Sequence, residues 1–370
     1  MTALSISRRQ ALAFRLDRQQ IFDHQGSTLL DTAAMLLGAQ AQVHSAGIQQ
    51  LRVRCGAVDQ AAVSHALQAD RSLVKIWAQR STLHFVPRAD LPLLLALRRH
   101  AIPTYRAWFT REGLDDGQID RLVQAIQEAL ADGPASRSDL STRLVPILGD
   151  WSRPWLEHSW GGVLKMMAAL GLACHGPPRD RESTFVRLVD WVGVLPADED
   201  PLLAEVLRRY LASYGPATLR DFGKFTGLPM PAVRAAFAAI EGELLPVEID
   251  GQPAYALTVD EPALRAAEMP PGHLAILPLF DPWLLAHADT AGRLTPKRRA
   301  QVYRVAGWIS PVILREGEII GVWSHERVAA GWSVSIAPFK ALGPRQLGRI
   351  EKQLRRLAGV PVMLSVEEPG

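Results

Sequence analysis

Hydrophobic and polar positions alternate first with helical and then with strand spacing, and this succession occurs at least twice along the chain. Two Gly-Pro-Ala turns begin at Gly133 and Gly215, a spacing of 82 residues. An amphipathic helix leads into each turn, and Ser136 or Thr218 is placed to cap a second helix. A third helix is predicted at 155–170 in the first copy and at 231–241 in the second.

Each copy then continues with two strand-like runs. These runs are 172–175 with 184–188, and 244–249 with 254–259. Asp250-Gly251 between the last two is a pair typical of a tight hairpin turn. A looser copy lies upstream, with a helix at 59–67 and a β portion at 73–86. Three helices followed by a hairpin is the winged-helix plan, so the sequence predicts three tandem winged helices.

From about Pro270 the pattern changes to short β-rich runs. They are Ala275–Asp281, Trp308–Leu314, Glu318–Ser324 and Gly331–Ile336, followed by a helix at 345–358 and a strand at 360–366. We expect a small C-terminal β-barrel. The whole chain is then an α+β protein, mainly α, with predicted domains at 1–115, 116–192, 193–268 and 269–370.

Composition narrows the class of protein. The 370 residues are 48% hydrophobic and 21% charged, which is typical of a globular chain. The net charge is +3, the pI is about 9.0, and arginine dominates the cations. The planar guanidinium group of arginine binds phosphates and base edges well, so this composition favours a nucleic-acid partner. A high-GC codon bias would enrich arginine equally.

Several chemistries are not supported by motifs. Cys55 and Cys174 are too few for a disulfide framework, and no signal peptide or membrane span is recognisable, so we expect a cytoplasmic bacterial protein. Gly223-Lys224 lacks the rest of a phosphate-binding loop. Asp281, His287 and Asp289 resemble metal ligands, but no Cys/His spacing supports zinc. We expect no metal and no cofactor.

One short polar segment stands out after an apolar helix that ends at Gly38. Gln40 and Gln42 would share a face in an extended segment, where both amides could converge on one water molecule or base edge. A glutamine pair by itself is equally typical of a protein surface. His84 lies in an alternating run in which Arg80 and His84 share one face.

Basic clusters offer candidate contacts to DNA phosphates. Lys297-Arg298-Arg299 is the clearest, with Arg98-Arg99 and Arg355-Arg356 as others. Each could equally be a solvated helix face. Winged helices also serve as protein-interaction modules, so architecture alone leaves DNA binding open.

Several motifs together resemble the AlkZ/YcaQ family of bacterial DNA glycosylases over essentially the whole chain. They are Gly38–Gln42, Arg80–Pro87, Leu277–Asp289, Gly307–Val312 and Gly321–Trp323. The resemblance implies a C-shaped scaffold of tandem winged helices closed by a β-barrel. It also implies excision of N7-alkylguanine, including crosslinked guanine, by Gln40 and Gln42. This Gln-x-Gln form resembles the AlkZ branch, which implies protection of producers of alkylating antibiotics such as azinomycin.

The residue chemistry fits that implication. An N7-alkylated guanine is already cationic and departs as a neutral base, so a glycosylase needs to position water rather than protonate the base. Glutamine is not a general base, so we expect activity only on such self-activated lesions. No lysine lies near Gln40 and Gln42 in sequence, which predicts a monofunctional enzyme without lyase activity.

The partner expected is double-stranded DNA carrying alkylated or crosslinked guanine, bound by a monomer at the nucleoid. Candidate DNA-binding residues are Arg80, His84, Lys297, Arg298, Arg299 and Arg315. The hairpin turn Arg315–Glu318 is a candidate groove probe. The alternative is a non-catalytic winged-helix transcriptional regulator, which would bind duplex DNA without releasing a base.

Overall fold

A computed structural model describes residues 3–22, 26–56, 58–159, 161–180, 182–193, 200–288 and 294–369. The chain is a mixed helix and strand protein. Three units share one order of elements, namely a helix, a short extended segment, two or three helices and a two-stranded hairpin. A C-terminal sheet follows them.

The first unit is preceded by strand β1 (Leu4–Ile6) and helix α1 (Arg8–Arg18). Its elements are α2 (Leu29–Met35), β2 (Ala39–Gln40), α3 (His44–Cys55), α4 (Gln60–Gln68), β3 (Leu73–Trp77) and β4 (Leu83–Pro87), and the linking helices α5 (Leu91–Arg99) and α6 (Ile102–Arg111) come next. The three strands form a sheet in the order β2-β4-β3. This pairing places Gln40 of β2 opposite His84 of β4.

The second and third units repeat this plan. The second comprises α7 (Asp116–Ala129), β5 (Ala135–Ser136), α8 (Arg137–Leu148), α9 (Arg153–Leu156), α10 (Gly162–Ala169), β6 (Ala173–His175), β7 (Thr184–Arg187) and α11 (Leu188–Val192). The third comprises α12 (Asp200–Tyr214), α13 (Leu219–Thr226), α14 (Met230–Ala239), β8 (Leu244–Ile249), β9 (Gln252–Leu257) and α15 (Glu261–Ala266). Their sheets have the orders β5-β7-β6 and β1-β8-β9.

Local signals in the repeats are confirmed. Ser136 and Thr218 accept hydrogen bonds from backbone amides three residues on, which satisfies donors at the start of α8 and α13. Asp250 and Gly251 have φ of 47° and 81°, the left-handed values that a tight hairpin needs. The predicted helix at 155–170 is wrong in one respect. It is two helices, since Gly161, just before α10, and Gly162, the first residue of α10, have φ of 103° and 42°.

The predicted C-terminal β-barrel is not found in the described residues. The region comprises β10 (Leu274–Leu277), α16 (Pro296–Val302), β11 (Val312–Arg315), β12 (Glu318–Val328), β13 (Gly331–Pro338), α17 (Pro344–Ala358) and β14 (Val362–Val366). The strands form an open sheet in the order β10-β11-β12-β13-β14, with β10 and β14 at its edges. Buried residues of α17, including Ile350 and Leu354, pack on it around Trp323 and Trp332. An amphipathic helix thus covers the sheet face that closure would otherwise bury.

Helix α3 connects the first unit to this sheet. Arg54 near its end forms a two-pronged ion pair with Asp281, with both nitrogen–oxygen distances at 2.8 Å. Both side chains are fully buried. Among the described helices, none is long and apolar enough to span a bilayer.

Substituting Arg54 should therefore destabilise the fold. In the Arg54→Met variant the Asp281 carboxylate stays buried without its countercharge. We expect the free energy of unfolding to fall by about 3–5 kcal/mol in urea denaturation. Arg106→Met is the matched control, because Arg106 pairs with Asp116 and Asp120 at the exposed surface. Its loss should stay below about 1 kcal/mol. Equal, small losses in both variants would contradict the assigned role of the buried pair.

Candidate active site

Gln40 and Gln42 lie where the first unit changes from helix to strand. Gly38 ends the preceding helical segment with φ of 99°, and a Cβ atom there would lie 3.2 Å from the Val86 side chain. Gln40 then enters β2 and is buried, with only 6% of its surface exposed. Gln42, two residues on, is exposed. The pair therefore joins the interior of the protein to its surface.

Protein donors orient both amides. Arg80 Nη2 donates to Gln40 Oε1 at 3.1 Å, and the Leu83 backbone N–H donates to Gln42 Oε1 at 3.2 Å. A carbonyl oxygen has two lone pairs, so each Oε1 can still accept one hydrogen bond. Within the described part of the chain, neither Nε2 atom has an acceptor at hydrogen-bond distance. Each side chain thus offers one donor group and one acceptor position to a substrate or to water.

A third glutamine fixes the backbone of Gln40. Gln50 of α3 is completely buried. Its Oε1 accepts from the Gln40 N–H at 2.9 Å, and its Nε2 donates to the Gln40 carbonyl at 3.0 Å. The same Nε2 donates to the Leu279 carbonyl at 3.1 Å. One amide therefore holds Gln40 against the loop that follows β10, a link that sequence inspection did not find.

Arg80 lies in a turn and not on the strand face where the alternation placed it. Its φ is 54°, and Ser81 follows with φ of 60°, so the chain turns sharply just before β4. Ser81 Oγ accepts from Arg98 at 2.8 Å and from Tyr105 at 2.7 Å, contacts that hold this unusual backbone in place.

The guanidinium of Arg80 is engaged inside the protein. Besides Gln40, it donates through Nη1 to the Phe225 carbonyl, and it lies over the Phe225 ring at 5.3 Å. Burial lowers the pKa of Arg80 to about 10, which leaves it cationic at neutral pH. The observed contacts assign Arg80 to orienting Gln40. Direct contact with DNA stays a prediction.

His84 is an internal group, 3% exposed. Its Nδ1 lies 2.9 Å from the Thr82 carbonyl, to which the Nδ1–H tautomer donates. Burial, followed by the charge of Arg80, lowers the pKa of His84 to about 3, so the ring is neutral at pH 7. Its role as a DNA-binding residue stays a prediction. His84 lies opposite Gln40 in the antiparallel pair of β2 and β4.

Lys224 of α13 is a further cation whose charge interacts with that of Arg80. Lys224 Nζ donates to the His287 carbonyl at 3.1 Å. Burial is the main cause that lowers the pKa of Lys224, and the charges of Arg299, Arg80 and Arg220 lower it further. The sequence presented Lys224 only as part of an incomplete phosphate loop. The fold brings it to the His287 and Ala288 carbonyls, in the segment after β10.

The three side chains of the predicted basic cluster on α16 differ in their surroundings. Lys297 and Arg299 are exposed. Arg298 packs over the Phe339 ring at 5.2 Å and donates to the Phe339 carbonyl at 2.5 Å. Of the three, Arg299 is the one whose charge reaches Lys224.

The turn proposed as a groove probe is held against α1. Glu316 pairs with Arg9 and Glu318 pairs with Arg8. Gly317, with φ of 80°, approaches Leu12 so closely that an added Cβ would lie 3.1 Å from the leucine side chain. Arg315 is exposed beside this packed turn.

The three residues that resembled metal ligands have other surroundings. Both Asp281 oxygens bind Arg54. His287 Nδ1 lies 3.7 Å from an Asp221 oxygen, and Asp289 lies outside the described residues.

Neutral, buried His84 should make stability depend on pH. An unfolded histidine has a pKa near 6.5, so between about pH 6.5 and 3 the unfolded chain binds a proton that native His84 does not. Stability should therefore fall as the pH falls from 7 to 5. The contribution of this residue is at most about 1.4 kcal/mol per pH unit. Urea titrations of the His84→Asn variant should give a shallower slope than the parent, while exposed His65→Asn should keep the parental slope. Identical slopes for all three proteins would refute this assignment.

Comparisons with known proteins identify the family. The DNA glycosylase AlkZ-like family matches residues 33–360. The interstrand DNA cross-link repair glycosylase of Streptomyces sahachiroi is 31% identical over 366 residues, which cover 96% of each chain. The solved structure of the Streptomyces sahachiroi DNA glycosylase AlkZ superposes with a TM-score of 0.86, at 31% identity, over 98% of this chain and 100% of that one. The chain therefore belongs to the AlkZ-like family of DNA glycosylases.

Proposed function

We propose that this protein is a monofunctional glycosylase that hydrolyses the N-glycosidic bond of cationic N7-alkylguanine in double-stranded DNA. The observation that carries the proposal is the pair of oriented, uncharged amides at Gln40 and Gln42, with Arg80 as the nearest ionised partner. In the contacts described above, no carboxylate binds either amide. A site of this kind holds water and orients a substrate, and it lacks the means to protonate a neutral base.

The chemistry follows from charge. Alkylation at N7 places a positive charge on the purine, so cleavage of the glycosidic bond returns the electron pair to a neutral leaving group. Positive charge then develops on the sugar, and water attacks its anomeric carbon. The free lone pairs of Gln40 Oε1 and Gln42 Oε1 can accept hydrogen bonds from that water, and the proton that the water loses after attack passes to the solvent. The Nε2 groups supply donors for DNA acceptors.

Crosslinked guanine is proposed as part of the substrate range. The relative from Streptomyces sahachiroi is named an interstrand DNA cross-link repair glycosylase, and the present chain matches nearly all of its length. A guanine tethered to the opposite strand cannot swing fully out of the duplex, so such a substrate requires an open site. Exposed Gln42 is compatible with an open site. We further propose that the activity protects a cell against a DNA-alkylating antibiotic of the azinomycin kind.

The three repeated units are proposed to be winged-helix domains bounded at 1–115, 116–192 and 193–268, with a C-terminal β domain at 269–370. Two observations support this assignment. The three units share one strand order, and in the third unit the Ala217–Tyr255 bridge takes the place that β2 and β5 have in the other two. We propose that they form a C-shaped surface for duplex DNA and that a monomer acts in the cytoplasm at the nucleoid.

Release of 7-methylguanine from duplex DNA tests the catalytic assignment. We expect Gln40→Ala and Gln42→Ala each to lower the single-turnover rate constant by about 100-fold, the scale on which removal of an oriented polar group acts. Gln68→Ala, at an exposed position of α4, is the control and should retain full activity.

The same reactions test the absence of lyase activity. Intact strands with an abasic site indicate hydrolysis. Nicked strands, together with a covalent protein–DNA complex formed when borohydride reduces an imine at the sugar, would implicate an amine such as Lys224. Undiminished release by both glutamine variants would overturn the catalytic assignment.

Gln50 should act as a positioning residue. Gln50→Leu removes the partners of the Gln40 N–H and carbonyl, so the Gln40 strand should shift. We expect the rate constant at saturating enzyme to fall by about 10- to 100-fold, the cost of a small misplacement of catalytic groups, with DNA affinity nearly unchanged. The neighbouring Gln49→Leu variant is the matched control, since Gln49 contacts His325 and not Gln40. A Gln50→Leu protein that is less stable but catalyses at the parental rate would show that Gln50 is purely structural.

A further inference from the structure

A polar cavity of about 340 Å³ lies where the first and second units meet. Its walls come from the start of α3, from α4, from β3 and from the hairpin of the second unit. Trp77 of β3 packs on the His175 and Phe185 rings of that hairpin, with centroids 4.9 and 5.9 Å apart. The cavity therefore lies along a packed contact between two units. Polar side chains on its walls include His44, Gln60, Ser64, Lys75 and His175.

Lys75 is a cation without a countercharge in this cavity. Its side chain is partly buried, and burial lowers the pKa of its ammonium group. Within the described part of the chain, the ammonium group has neither a hydrogen bond nor a carboxylate partner. Two acidic residues of the second unit, Asp139 and Glu182, pair with Arg179 instead. Withdrawing an ammonium group from water without such contacts is costly, and a bound anion offsets that cost.

The histidines beside Lys75 add hydrogen-bonding capacity and no negative charge. Burial is the main cause that lowers the pKa of His44 and of His175, and the charge of Lys75 lowers both further. Arg137 adds a second positive charge beside His175. His175 is 7% exposed, and its Nε2 atom has no hydrogen-bond partner among the described residues. The cavity thus combines positive charge with a buried polar group that lacks a partner.

The remaining polar groups suit a ligand with several acceptor oxygens. Gln60 Nε2 lies 3.2 Å from His44 Nε2 and 3.4 Å from Ser64 Oγ. Helix α3 begins at His44, and its N-cap residue, Val43, offers no side-chain cap. The first backbone N–H groups of α3 therefore keep their donor capacity, at the end of the helix where anions are favoured. Phosphate carries the charge and the number of oxygens that these donors can bind.

We propose that this cavity binds a phosphate group, with Lys75 as its countercharge and with Ser64 and His175 as hydrogen-bonding partners. Two sources supply that chemistry, namely a phosphate of duplex DNA and a small phosphate ester such as a nucleotide. The inference goes beyond the proposed function, because binding a phosphate does not require excision of a base.

Isothermal titration of the full-length protein with inorganic phosphate and with deoxyguanosine monophosphate tests the site. We expect Lys75→Met to weaken phosphate binding by about 10-fold or more, the scale of a lost hydrogen bond to a charged group. Ser64→Ala, which leaves Lys75 in place, should weaken it by about 3-fold. Lys352→Met is the matched control and should bind as the parent does, because Lys352 is exposed on α17 and lies outside the cavity.

Binding to an undamaged duplex distinguishes the two sources. If DNA supplies the phosphate, Lys75→Met should bind the duplex more weakly, and the slope of log affinity against log salt should fall by about one. If a small ester supplies it, Lys75→Met should bind the duplex as the parent does, and saturating duplex should leave the phosphate titration unchanged. Either loss supports the site. A Lys75→Met protein that matches the parent in both the phosphate and the duplex titrations overturns it.

Thermal unfolding shows whether a loss of binding reflects a loss of structure. Since Lys75 is an unpaired and partly buried charge, Lys75→Met should unfold at the parental temperature or above it. If it unfolds at a lower temperature, Ser64→Ala decides, and parental phosphate and duplex affinities in that variant overturn the proposal. Release of 7-methylguanine is measured separately. A protein that binds phosphate but releases no base would refute the proposed function and leave the phosphate site standing.

Discussion

The buried face of helix α3 is the constraint on which the candidate site depends. Gln50 and Arg54 lie one helical turn apart on that face, and Arg54 Nη1 donates to the Gln50 carbonyl at 3.1 Å. Gln50 holds the Gln40 backbone and the Leu279 carbonyl, while Arg54 holds Asp281. Two adjacent buried polar groups therefore position one short strand of the first unit against one loop of the C-terminal region. Leaving either group unpaired in an apolar interior would be costly, so the arrangement has little freedom to shift.

The orientation of the Gln40 and Gln42 side chains depends on a similar network of contacts. The amide oxygens of Gln40 and Gln42 are oriented by donors on the turn and strand around Arg80 and Leu83. Arg80 is itself held by the Phe225 carbonyl in the third unit. Uncharged groups stabilise charge only when they are fixed in direction, so in the proposed reaction this network would supply what a carboxylate otherwise supplies. Three parts of the chain are needed to orient two amides.

Sequence patterns predicted the features that short-range chemistry determines. Ser136 and Thr218 cap helices because their own hydroxyls reach nearby amides, and Asp250-Gly251 turns because both residues tolerate positive φ. The Gln40 motif was found because its residues are close in sequence. Arg80 was placed on a strand because alternation does not reveal a turn held by distant Arg98 and Tyr105. Gln50 was missed because a buried hydrogen bond from a side chain to the backbone leaves no pattern in the sequence, and Lys224 was missed because its partner His287 lies 63 residues on. The prediction of a C-terminal β-barrel was wrong because strand propensity does not determine whether a sheet closes or is covered by a helix.

The distance along the chain from α3 to its partners also determines at what stage of protein synthesis the site can form. Gln50 and Leu279 are separated by 229 residues, and Arg54 and Asp281 by 227. At typical synthesis rates a ribosome needs roughly 10–50 s to cover that interval. During this time the first unit has emerged, while Gln50 lacks the Leu279 carbonyl and Arg54 lacks the Asp281 carboxylate. The Gln40 strand has its contacts to Gln50 and β4 within the first unit, but the contacts that hold this unit against the loop after β10 form only when late-made residues emerge. The complete site is thus assembled late, and assembly of the molecule and onset of its chemistry coincide.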